Sequence, residues 1–126
     1  MNTPIWAQDL ILNAILFIQS TSSLTPKLPD INWRHAKGRH NSSGVCHSRN
    51  ITIVKGSNRV DAKLVILHEL AHSVYFEDHH SSRFWDLCWE LYRWAKLPIR
   101  HCKKREGNYR KGSIVAYHRS KGEKYD

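Results

Sequence analysis

Two histidines four residues apart, with a glutamate beside the first, are the residues of this chain best placed to do chemistry: His68-Glu69-Leu70-Ala71-His72. On a helix, residues four apart lie one turn apart on one face, so both imidazoles can point at a single ion. Glu69 is offset around the helix. It can reach a water on the open side of the ion without taking a ligand position. Around the motif, Leu64, Val65, Ile66, Leu67, Leu70, Ala71 and Val74 cover nearly the whole helix circumference, which predicts a central, buried helix. Three ionisable groups within five residues of such a helix are costly unless something compensates them. A metal ion would do so. The alternative is a pair of core histidines hydrogen-bonded to backbone or carboxylate.

A catalytic zinc takes three protein ligands and leaves a fourth position for water. The third ligand must fold back after the helix ends. The polar break at Glu77, Asp78, His79 and His80 allows this, and Glu90 lies further on. His80 is the expected third ligand, because it directly precedes the cap of the next helix and can be held rigidly there. His79 is the alternative.

These residues need elements to position them. Thr3-Pro4 reads as a helix start, and Trp6, Leu10, Ala14, Phe17 and Ile18 recur at helical spacing, predicting an amphipathic helix over 4–20. Pro26 and Pro29 keep the following stretch extended. A short strand is expected at 31–34. A hairpin is expected from Val45–His47 and Ile51–Lys55 around Ser48-Arg49-Asn50. Asp61 opens the helix that carries the motif. Ser81 or Ser82 caps another helix to about Ala95, with Phe84, Cys88 and Leu91 on one face and Trp85 and Trp89 beside them; Pro98 stops it. Ser113–His118 reads as a strand or a short packed element. The expected class is α+β: an N-terminal helix, a small antiparallel sheet, the motif helix, a following helix and a basic C-terminal tail. Residues 1–97 form the expected core and 98–126 an extension packed on, or appended to, the same domain.

His68-Glu69-Leu70-Ala71-His72, followed by His80-Ser81-Ser82-Arg83-Phe84-Trp85, resembles the SprT-like zinc metallopeptidases and the related YgjP-type proteins. Gly44-Val45-Cys46-His47 and Ile51-Thr52-Ile53 resemble that family's glycine-led hairpin, and Asp61–Leu67 its run into the motif. The likeness covers about residues 28–97. It differs from the DNA-repair members in the short spacing from His72 to His80, in Ser81 where glycine is usual, and in lacking a cysteine-rich zinc ribbon. It is nearest to small, single-domain microbial or phage-type members. The resemblance implies a minimal zincin with one zinc per chain on His68, His72 and His80. It implies Glu69 as the base that activates water against a peptide bond. It also implies a strand over Asn50–Lys55, Ile51 and Ile53 included, that pairs with substrate backbone. DNA-associated proteins are among the substrates it suggests. The oxyanion donor is left among Tyr75, Tyr109, His118 and Arg39. A zinc-containing nucleic-acid-binding module without catalysis is the competing expectation.

The chain has 126 residues, 20 Lys+Arg and 11 Asp+Glu. The excess is uneven: residues 93–126 hold eleven basic and three acidic residues, a balance of +8, against +1 for 1–92. Lys103, Lys104, Arg105, Arg110 and Lys111, with Tyr109, Tyr117 and Tyr125 interleaved, suit a nucleic-acid backbone, while a solvated surface is the plainer reading. Three cysteines exclude a four-cysteine zinc site and a disulfide scaffold. The most apolar run, Ile5–Ile18, is too short for a membrane span and is interrupted by Gln8, Asp9 and Asn13. A cytoplasmic monomer acting on protein or peptide is the expectation.

Overall fold

The computed structural model describes residues 3–22, 30–34, 44–47, 50–54, 59–75, 80–107 and 111–122, the three strand segments by their backbone. The chain divides into two compact units, Met1–Phe76 and Glu77–Asp126.

In the first unit, α1 spans Ile5–Thr21 and α2 spans Arg59–Val74. Pro4 stands at the cap of α1, and its carbonyl accepts from the backbone N–H groups of Ala7 and Gln8. The hydroxyl cap expected of Thr3 is absent; the Thr3 carbonyl accepts from the Gln8 amide at 2.8 Å instead. The buried face of α1 is Ala7, Ile11, Ala14, Ile15 and Ile18. It is turned from the face expected through Trp6, Leu10 and Phe17, which are half-buried. Helix α1 lies against α2, and α2 lies along two strands, β2 (Gly44–His47) and β3 (Asn50–Val54). Strand β1 (Asp30–Arg34) completes the order β1-β3-β2. Asp30 stands opposite Asn50 in a parallel pairing, and Cys46 opposite Ile51 in an antiparallel one.

The α+β class built on a small antiparallel sheet is therefore corrected. The residues whose side chains are described contain no strand and are 84% helical, so the fold is a helical one. The strand segments are only four or five residues long, and their pairing is mixed. The correction arises mainly in the basic C-terminal region, where the sequence suggests a tail or a strand at Ser113–His118.

That region is helical. In the second unit, α3 spans Ser82–Trp94 and α4 spans Ile99–Cys102; one π-helical turn follows over Lys103–Gly107, and α5 covers Lys111–Ser120. Helix α5 packs on α3 through small residues. A Cβ added at Gly112 would come within 2.9 Å of Cδ1 of Trp85, so only glycine permits this approach. The Trp89 indole donates to the Ser113 hydroxyl at 3.1 Å, and Ala116 is fully buried. Trp85 and Trp89 are themselves fully buried. At roughly 25 cal/mol per Å², each contributes about 4–6 kcal/mol of apolar burial.

The π-helical turn carries Glu106 inward, where its carboxylate accepts from the Tyr92 hydroxyl at 2.8 Å. Burial, then the neighbouring Cys88 and Glu106, holds the Tyr92 phenol well above its usual range. Burial, with the Glu106 charge adding to it, pushes the Cys102 thiol up to about 12. No helix among the described residues is long and apolar enough to cross a membrane.

Candidate metal centre

Helix α2 places its polar residues as their spacing predicts. Leu64–Leu67, Leu70 and Ala71 are buried and fix the helix rotation. That rotation leaves His68 and His72 half-buried on one face, with ring centroids 4.9 Å apart and planes at 71°. Glu69 is buried at 6% exposure, and one carboxylate oxygen lies 4.0 Å from Nε2 of His68.

His80 is positioned by the start of α3. Ser81 caps that helix, its hydroxyl accepting from the Phe84 N–H at 3.3 Å. The first turn then sets two fully buried rings against the imidazole. Trp85 stacks on His80 at 5.4 Å and 21°, and Phe84 meets it edge-on at 5.2 Å. The sequence pattern marked Phe84 and Trp85 as core; their second role, holding the imidazole in place, was missed. The signal was the four- and five-residue spacing from His80.

One ligand atom from each of His68, His72 and His80 lies within 4.8 Å of the other two, a set that could hold a metal ion. The donors suit zinc. Nitrogens about 2 Å from a tetrahedral zinc are about 3.3 Å apart, inside the 4.8 Å that bounds this set. Three neutral nitrogens leave a tetrahedral ion one open position.

Other expected site residues fall elsewhere. His79, Asp78, Arg39, Tyr109 and Arg110 lie outside the described residues. Glu90 is exposed on α3, where the neighbouring acid Asp86, not among those candidates, pairs with Arg119 at 3.1 Å. Tyr75 follows the end of α2 and is half-buried. Ile51 and Ile53 sit on β3, whose backbone is paired on one edge with β1 and on the other with β2. Among the described residues β3 is therefore the central strand, both of its edges taken up by backbone pairing. Lys103, Lys104, Arg105 and Lys111 are exposed on the second unit.

Comparison with protein-family models, with curated proteins and with solved structures gives no match.

Proposed function

We propose that the protein is a zinc-dependent hydrolase of peptide bonds, a metallopeptidase of the kind its motif resembles. The observation that carries this reading is the convergence of His68, His72 and His80 beside a buried carboxylate, Glu69. Zinc, when bound there, would lower the pKa of a coordinated water to about 7 and polarise the scissile carbonyl. The chain's own residues supply the rest. His68, His72 and His80 would hold the ion, and the rings of Phe84 and Trp85 keep His80 from turning away. Glu69 takes the proton from the attacking water and passes it to the leaving amine. Its burial strengthens that exchange, because a carboxylate out of bulk water feels nearby charge more strongly.

A cytoplasmic setting goes with this reading, since neither Cys88 nor Cys102 is joined in a disulfide. DNA-associated proteins are a candidate substrate class on the strength of the exposed basic residues of the second unit.

The test is digestion of a peptide library by the zinc-loaded protein and by Glu69→Gln. The native protein should cleave. Glu69→Gln should keep its metal and lose turnover by about a hundredfold or more, where the range that a general base contributes begins. Turnover that survives the substitution removes Glu69 from the mechanism. Zinc bound at one equivalent with nucleic-acid binding and no dependence on Glu69 would favour the non-catalytic module.

A further inference from the structure

We infer that the C-terminal helix α5 belongs to the metal centre: its Gly112, acting through Trp85, sets the position of the third histidine, His80. The inference rests on the reading that His68, His72 and His80 hold a metal ion. Two contacts meet in one residue. Trp85 stacks on the His80 imidazole, with centroids 5.4 Å apart and planes at 21°. Its Cδ1 stands 2.9 Å, and its Nε1 3.4 Å, from where a Cβ on Gly112 would be. The indole therefore touches the imidazole and comes against the backbone of α5. It has little room to yield. Trp85 is fully buried, and the Phe84 ring meets it edge-on at 5.1 Å and 71°. Close-packed interiors transmit displacement. A push on the indole from α5 is passed to His80.

Helix α5 is anchored where this support is needed. The Trp89 indole, one turn after Trp85, donates to the hydroxyl of Ser113, the neighbour of Gly112, at 3.1 Å. Towards the far end of α5, Nη2 of Arg119 donates to the Ser82 hydroxyl at 2.8 Å and pairs with Asp86 at 3.1 Å. Ser82 is the first residue of α3, two positions after His80. Helix α5 thus holds the first two turns of α3, the segment that starts where the third ligand ends.

The centre needs such support at His80 more than elsewhere. His68 and His72 share one helix, α2, so their relative position is fixed by the helix itself. His80 comes from a separate element, and its place depends on what packs against it. Groups behind a metal ligand commonly govern affinity as strongly as this. Gly112 and Trp85 are positioning residues, since both act through His80.

The test measures zinc affinity of the full chain by competition with a chromophoric chelator. Native protein is compared with Gly112→Ala, Arg119→Gln and, as a control on the same helix, the exposed Lys111→Ala. Visible absorption of the cobalt(II)-loaded proteins is recorded in parallel. Alanine is a better helix former than glycine, so Gly112→Ala does not weaken α5 itself; its Cβ displaces Trp85. Zinc affinity should fall about tenfold or more, the range seen when a ligand loses its support. The cobalt bands should shift as well, because His80 has moved. Lys111→Ala should stay within about twofold of native. Native affinity in Gly112→Ala overturns the inference. So does a weaker affinity with unchanged cobalt bands, which would report the stability of the fold and not the position of His80. If Gly112→Ala does not fold, Arg119→Gln decides, its side chain being exposed. It should lose at least about threefold in affinity, and native affinity there overturns the inference. A native protein that binds neither metal overturns the metal reading and this inference with it, and so is told apart from failure of the inference alone.

Discussion

The imidazole of His80 illustrates how much of a site depends on neighbours that never touch a ligand. Ser81 starts α3, and the first turn of that helix delivers Phe84 and Trp85 to two sides of the ring. Dependence on a neighbour appears again at Tyr92, whose phenol donates to the buried carboxylate of Glu106. Removing the hydroxyl takes one donor from that buried carboxylate. Tyr92→Phe should therefore cost about 1–3 kcal/mol, read as a lower urea midpoint at unchanged slope. An unchanged midpoint would mean that Glu106 finds another donor at no cost. At this scale the sequence was readable where one helix carried the whole pattern. The four-residue spacing of His68 and His72 was enough, because an α-helix converts that spacing into a shared face. The support of His80 from α5 was not readable. Gly112 meets Trp85 only because two separate helices pack together.

Among the elements, α2 and α3 were legible because large apolar residues recur in them at helical spacing and a serine caps α3. Their ends were nearly correct: α2 begins at Arg59 where Asp61 was expected, and α3 ends at Trp94 where Ala95 was. Helix α5 was missed because its buried face consists of Ser113 and Ala116, with Gly112 beside Trp85. Small residues carry almost no periodic hydrophobic signal, yet they permit the closest helix approach. The end of α3 stores a correctable strain. Lys96 sits at φ 57°, and the Leu97 N–H closes the turn onto the Tyr92 carbonyl. Glycine is the usual residue at such a position because it has no Cβ to clash. Lys96→Gly should raise stability by about 0.5–1 kcal/mol, measured by thermal unfolding at constant pH. A lower melting temperature would show that the lysine side chain contributes more than its backbone costs.

Across the whole molecule, charge and burial set how stability responds to pH. The Cys102 thiol is pushed from 9.0 to about 12 when folded, chiefly by burial. An acid whose folded value is raised keeps its proton in the native state after the unfolded chain has lost it. Its stabilisation is complete below pH 9 and declines as pH rises towards about 12. Tyr92, shifted upward for the same first reason, adds to the loss at the alkaline end. Urea unfolding between about pH 8 and pH 11 should show stability falling, and Cys102→Ala should make that fall shallower. An identical pH slope in the variant would mean that the thiol is not the group responsible. The distribution of charge also hid part of the fold class, which is helical where an α+β arrangement was expected. Eleven basic residues in the last 34 positions read as a solvated tail, while the few residues that pack are small.

The central claim is that His68, His72 and His80 together hold one metal ion. Elemental mass spectrometry of the purified full chain tests it most directly, with His68→Ala and His80→Ala measured in parallel. The account predicts about one zinc per chain in the native protein and loss of that zinc in both variants. A well-folded native protein that takes up no zinc even when it is supplied, or a His80→Ala variant that retains it fully, would contradict the claim.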